Sequence, residues 1–310
     1  MIDAPSSTWF TQNPHWQWYI VLYFFIGGLA GGCYFIATLI DMFGRREDRP
    51  LARIGYYVAF PCVLLSGLLL TIDLPRPLRF WHMLIERNTI EPMFKAWSPM
   101  SIGSWALLVF GIFSFISFLG ALAEEDRYRW PAFRRLHWPA LIGVRPPSAL
   151  GSIVAILGGL AGLFIAGYTG VLLAVTNRPI WSDTPLLGML FMVSAASTST
   201  ALLILLAQRY GWHELPGIAA LRRMDGIVLA LELVVLIAVM ISLGSAFRGW
   251  LNLWGLLLLV GVVILGLIVP LVLSWRHRRF ADPNMVTIAT LVLIGGFLLR
   301  LVVVFSSETI

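Results

Sequence analysis

Eight apolar runs of membrane-crossing length fill most of this 310-residue chain: 18–40, 53–73, 99–123, 151–176, 184–207, 226–245, 255–275 and 286–305. A bilayer's hydrocarbon core takes roughly 20 apolar residues of helix to cross. The runs are continuously apolar rather than alternating, which fits helices and not barrel strands. The fold class is therefore an all-α integral membrane protein with eight transmembrane helices. Residues 1–310 form one domain, and two packed four-helix bundles are the expected arrangement. Composition agrees: 59% of residues are hydrophobic and only 12% charged, against about 45–50% and 25% in soluble domains. So few charges exclude an ordinary soluble enzyme, a disordered chain and a disulfide-rich secreted domain.

An even number of spans puts both termini on one side. Of the 22 Lys and Arg residues, fifteen fall in the loops opposite the termini and six in the loops beside them. The positive-inside rule then turns both termini outward, away from the cytoplasm. It also makes 74–98 an outer loop and Arg127, Arg129, Arg134 and Arg135 cytoplasmic. Trp9, Trp16, Trp18, Trp81, Trp97, Trp181, Trp250 and Trp254 all fall near outer ends, as an aromatic belt requires. The net charge of +6 is spread over short loops, so it signals a lipid bilayer and not nucleic acid. Residues 1–17 carry no Lys or Arg, and the first run is too long for a signal-peptide core, so no cleaved leader is expected. The expected location is the inner (cytoplasmic) membrane of a prokaryote.

The sequence holds no motif for a resident cofactor. Cys33 and Cys62 are too few for an iron–sulfur cluster, and no CxxC pair exists. His15, His82, His137, His213 and His277 all lie in loops or tails. Transmembrane haem needs axial ligands on facing helices, so no haem is expected. No metal site, nucleophile elbow, Walker A loop or dinucleotide fingerprint is present. Redox chemistry here requires a diffusible, lipid-soluble carrier and a partner subunit that holds the electron-transfer groups.

Ionisable groups at membrane depth are expensive and mark functional candidates. They are Asp41, Asp73, Asp225, Glu232 and Arg300. Asp41 and Asp225 are expected at the inner boundary, either solvated or paired with loop arginines. Asp73 ends the second span beside Arg76 and Arg79. Glu232 falls about six residues into its span and Arg300 about 14 into its own, so a direct pair needs a helix offset. Arg300 is expected instead to reach toward the Asp73 end or to snorkel. The segment GGLAG occurs at 27–31 and again at 158–162, and 194–200 is a run of small residues. Small residues let helices approach closely in lipid, and they also leave space for a flat ring.

Five segments resemble the NrfD/PsrC family, the haem-free membrane subunits of molybdopterin oxidoreductases. WQWYIVLYFFIGGLAGG (16–32) is similar to the family's first span. TIDLPRPLRFWHML (71–84) resembles its Asp-Leu-Gly-Arg-Pro-x-Arg-Phe segment, with Pro75 where Gly is usual. WSPMSIGSW (97–105) resembles its entry to span three. The stretch 167–202 resembles the exit of span four and span five, and LALELVVL (229–236) its Glu-bearing sixth span. The resemblance covers essentially the whole chain, in order.

It implies a membrane anchor that binds menaquinone or ubiquinone near the outer face. Electrons would pass between quinone and a four-cluster, ferredoxin-like iron–sulfur subunit, itself joined to a molybdopterin or multihaem catalytic subunit. Under that reading Trp18, Tyr19, Tyr23, Asp73 and Tyr168 supply the quinone site, with Asp73 exchanging protons and Arg76 fixing its charge by pairing. Arg76, Arg79 and His82 are the alternative docking surface for the iron–sulfur subunit. Asp73, Asp225, Glu232 and Arg300 form a candidate proton relay. The rivals are a proton- or ion-translocating protein without redox role, and a structural anchor without a quinone site.

Overall fold

The computed structural model describes residues 16–124, 143–212, 215–276 and 284–307. Eight of its helices are long and apolar enough to cross a membrane. They are α1 (Trp18–Phe43), α2 (Arg49–Asp73), α3 (Pro99–Glu124), α4 (Ala149–Ala174), α5 (Leu187–Arg209), α6 (Pro216–Ser242), a composite α7, and α8 (Asn284–Ser306). α7 runs Leu253–Leu257 as α-helix, Leu258–Ile268 as π-helix and Val269–Arg276 as α-helix again. Among the described residues the only β pairing is one bridge between Ile85 and Pro92. Trp9, His15, His137, His213, His277 and the four arginines Arg127, Arg129, Arg134 and Arg135 lie outside the described residues.

α1 is the most enclosed helix and packs against α2, α4, α5 and α8. Its glycines make that possible. A Cβ on Gly31 would run into the Gly162 carbonyl oxygen on α4. The two GGLAG copies thus face each other across the α1–α4 crossing, where backbone meets backbone. α5 brings its small residues to the same centre: Ser194, Ser197, Thr198, Ser199 and Thr200 are all buried. Around this centre α2 packs on α3, α3 on α4, α5 on α6 and α8, and α7 on α8.

The sixth span differs from its expected bounds. It starts ten residues earlier, at Pro216, and carries Arg222, Arg223 and Asp225 within the helix. Hydropathy marks only the lipid-buried part of a helix, whereas the cap fixes its start. Pro216 sits at the first turn, and the buried Asp48 carboxylate accepts from the Gly217 amide at 2.6 Å. Asp225 is therefore not at a helix boundary but buried on α6.

Two tryptophans of the expected belt turn inward. Trp181 and Trp250 are buried; Trp181 Nε1 donates to the Val303 carbonyl at 2.6 Å and Trp250 Nε1 to Ser306 Oγ at 2.9 Å. Ser307 Oγ also donates to the Pro179 carbonyl at 2.8 Å. Three contacts thus pin the end of α8 to the α4–α5 and α6–α7 connections. At the opposite end of the bundle, Arg145 is 2.7 Å from Asp41 and also pairs with Glu124, which lies 3.1 Å from Arg49. The expected loop partner of Asp41 is thus Arg145.

Candidate functional site

The termini-bearing end of the bundle opens into a cleft of about 760 Å³. Its walls are the first turns of α1 and α3 and the last turns of α2 and α4. The 3₁₀ turn Pro77–Met83 lies across it through Phe80 and Met83. Leu64, Met100, Leu108, Ile112 and Phe115 line the cleft yet remain exposed on the outside of the bundle. The cleft is therefore open sideways between α2 and α3, along faces that lipid would cover. Inside α2, Pro61 removes the hydrogen bond to the carbonyl four residues back, just below this opening.

Few polar groups line so large an apolar space: Tyr23, Thr71, Asp73, Ser104 and Tyr168. Asp73 is the last residue of α2. Tyr168 Oη donates to the Pro99 carbonyl at 2.6 Å, which leaves its oxygen free only to accept. Gly103 makes room for that ring, since a Cβ there would overlap it. Thr71 and Ser104 hydroxyls return to helix carbonyls four residues back, Gly67 and Met100, at 2.8 Å each. Two further glycines, Gly67 and Gly111, also line the cleft and have nothing within 4 Å of a would-be Cβ. They make flat, open patches on facing helices. Sequence reading sought such patches in spans one, four and five; there the glycines are filled by neighbouring helices.

Of the five residues expected to hold a quinone, the structure brings Tyr23, Asp73 and Tyr168 to this cleft. Trp18 and Tyr19 do not line it. Trp16, Ile20, Tyr23 and Phe24 follow the i, i+4, i+7, i+8 stripe of one helix face. Trp18 falls on the opposite side, where its ring meets Phe305 with centroids 4.9 Å apart. Tyr19 lies just beyond the edge of the stripe, partly exposed.

The expected Asp73–Arg76 ion pair is not formed among the described residues. Leu74 leaves the helix in extended backbone (ψ 137°), and the loop that follows brings Arg76 and Arg79 to the surface. Beside them Trp81 and His82 touch edge to face at 3.9 Å, with His82 Nε2 buried. Leu78, Ile90 and Trp97 stand exposed on the same loop.

A second polar group lies behind the cleft, at the bundle centre. Arg300 is fully buried. Its guanidinium donates to the Phe24 carbonyl (3.2 Å), Ser194 Oγ (3.1 Å), the Gly296 carbonyl (2.6 Å) and the Phe191 carbonyl (3.4 Å). Phe191 and Phe25 rings flank it at 5.3 and 5.7 Å. Arg300 therefore neither snorkels nor reaches Asp73. Glu232 is buried too and accepts from Ser197 Oγ at 2.5 Å. Ser194 and Ser197 are neighbours on one face of α5, so Glu232 and Arg300 sit at the same level. No direct Glu232–Arg300 ion pair forms among the described residues; the α5 serines stand between the two groups. Asp225 is seven residues, about two turns, from Glu232 on the same face of α6. Asp73 stands apart, on the cleft. Among the described residues no His, Cys, Asp and Glu side chains gather as metal ligands would.

The architecture defines a multi-pass helical membrane protein with one large cleft open toward lipid. Across residues 8–310 the sequence matches the family model described as polysulphide reductase, NrfD, and the chain belongs to that family. It is 27% identical to the C component of the polysulfide reductase of Wolinella succinogenes, over 95% of this chain and 94% of that protein. It is 25% identical to protein NrfD of Escherichia coli, over 98% of both. The C component of the selenate reductase of Mesobacillus selenatarsenatis is 23% identical over 74% of this chain and 57% of that one.

Proposed function

We propose that this chain is the haem-free, quinone-binding membrane subunit of a respiratory reductase complex. The carrying observation is the lipid-open cleft, which combines a carboxyl, two phenols and two bare glycine faces. A quinone head group is flat, carries two carbonyl oxygens and trails an isoprenoid tail. Gly67 and Gly111 fit its faces, and the opening between α2 and α3 fits the tail. Quinone takes up two electrons and two protons to become quinol, and the reverse step releases them. Asp73 gives or takes the proton at one oxygen. Tyr23 Oη donates a hydrogen bond to the other, and Tyr168, its own proton committed to Pro99, accepts from a quinol hydroxyl. The apolar walls keep bulk water from the reacting oxygens.

The sequence carries no motif for a resident electron carrier, so in this reading a partner takes the electrons onward. The relatives named as C components of polysulfide and selenate reductases support a complex. We assign the exposed Arg76, Arg79, His82 loop to an iron–sulfur subunit that joins it to a molybdopterin or multihaem catalytic subunit. In this reading the eight helices make two four-helix bundles, α1–α4 holding the cleft and α5–α8 bracing it. Both termini and the cleft face outward from a prokaryotic inner membrane, as the loop charges require.

The test is Asp73→Asn in the whole complex purified in mild detergent. Quinone-linked turnover should fall by roughly 10²-fold or more, while dye-linked turnover of the catalytic partner stays intact. Unchanged quinone-linked turnover would reject the reading and leave a structural anchor.

A second reading rests on the Arg300–Ser194 and Ser197–Glu232 cluster with Asp225 below it: protons cross the membrane as the quinone turns over. Glu232→Gln should then alter proton uptake measured with a pH-sensitive dye in vesicles. Uptake on one side only, the same in the variant, would remove the relay.

A further inference from the structure

At the basic end of the bundle, opposite the termini, a smaller cavity of about 260 Å³ opens between α2 and α5. Arg53 lies in its wall with Ile54, Tyr57, Val58, Tyr210 and Trp212. Arg53 forms no hydrogen bond and no ion pair among the described residues, although its Nε is shut off from solvent. A guanidinium half withdrawn from water without a partner is costly, and the cost falls away when an anion meets it. Among the described residues no acidic side chain lines the cavity. The nearby Asp48 is already engaged, accepting from the amides of Gly217 and Arg45.

The rest of the wall has two characters. Ile54, Val58 and Leu206 are aliphatic and continue along the helices toward the membrane interior. Tyr210 and Trp212 stack at the rim, with ring centroids 5.3 Å apart and planes at 26°, as aromatic side chains do at a headgroup boundary. The cavity therefore offers a cation at one end, an aromatic lip beside it and a hydrocarbon runway below.

We infer that this cavity binds an anionic phospholipid, its phosphate on Arg53 and an acyl tail along the α2–α5 groove. Basic pockets between helices on the positively charged side of a membrane protein suit such headgroups. The lipid spans a seam, because α2 belongs to the helices of the cleft and α5 to those around Arg300. This binding is independent of what occupies the large cleft.

The test uses the full-length protein stripped of lipid in detergent and then given phosphatidylglycerol, phosphatidylcholine or soluble glycerol 3-phosphate. Thermal unfolding and native mass spectrometry read the outcome. Phosphatidylglycerol should raise the unfolding temperature and stay bound as one retained lipid; the zwitterionic lipid and the soluble phosphate should do neither. Arg53→Gln should weaken retention about tenfold or more, with Arg53→Lys recovering part of it. Tyr210→Ser, at the exposed ring stacked on Trp212, should weaken it by removing the aromatic lip at the headgroup boundary and stands in if the arginine variant does not fold. Equal retention by wild type, Arg53→Gln and Tyr210→Ser, or equal response to phosphatidylcholine, overturns the proposal. An equal response to glycerol 3-phosphate overturns the lipid and leaves a soluble phosphate ester.

Discussion

The cleft and the bundle centre both hold polar groups at membrane depth, yet they are built on opposite plans. At the centre every polar group is turned inward: four acceptors surround the Arg300 guanidinium, and glycines close the space around it. At the cleft the carboxyl of Asp73 and the hydroxyl of Tyr23 face space, and Gly67 and Gly111 leave it open. The same residue types thus serve closure in one place and access in the other. A polar group whose partners are all in the protein holds helices together. One whose partners are missing from the protein is available to a ligand.

That contrast can be broken experimentally. Arg300→Ala should have the largest effect, because it leaves four buried acceptors without their donor and empties the centre of the bundle. The expected loss is about 3–5 kcal/mol of stability, read as failure to accumulate in the membrane or a collapsed unfolding temperature. If Arg300→Ala is as stable as the parent, the centre is not a keystone. Asp73→Asn should do the reverse, losing quinone-linked turnover while the unfolding temperature stays put. Gly31→Ala should cost roughly 1–3 kcal/mol by overpacking against the Gly162 backbone. Gly67→Ala, with nothing within 4 Å of the new methyl, should leave stability alone and raise KM for quinone. A stability loss equal to that of Gly31→Ala would show that the cleft closes in the working protein. The smallest effect is expected of Tyr23→Phe, which removes one hydrogen bond worth about 0.5–1.5 kcal/mol from ligand binding, read as a modest rise in KM.

Most of the fold was legible because lipid imposes one rule on every span. Eight apolar runs became eight helices, with most ends shifted by a few residues and one start, that of α6, by ten. The start of α6 is the clearest case: Arg222, Arg223 and Asp225 read as loop, but Pro216 and the cap from Asp48 had already begun the helix. The tertiary direction of a side chain was less legible. Trp181 and Trp250 have the sequence context of interface anchors, yet they point inward because α8 ends between them and offers acceptors. Tyr23, Asp73 and Tyr168 come from three helices, and the family resemblance, not spacing, drew them together. Gly67, Gly111 and Ser104 carried weaker signals. Ser104 sits in the segment 97–105 already noted, whereas a glycine facing open space reads the same as one facing a neighbour.

The position of Arg300 also bears on how the protein is made. The hydrogen bond from Arg300 to Phe24 joins residues 276 positions apart, from the first helix to the last. A ribosome delivers these helices one at a time, and a lone arginine at mid-membrane opposes insertion by about 2.5–3.5 kcal/mol. The last helix therefore enters against a site that α1 and α5 have prepared for it. Its arginine finds its full set of acceptors only when α1 and α5 are already in place, so the end of the chain closes what its beginning opened.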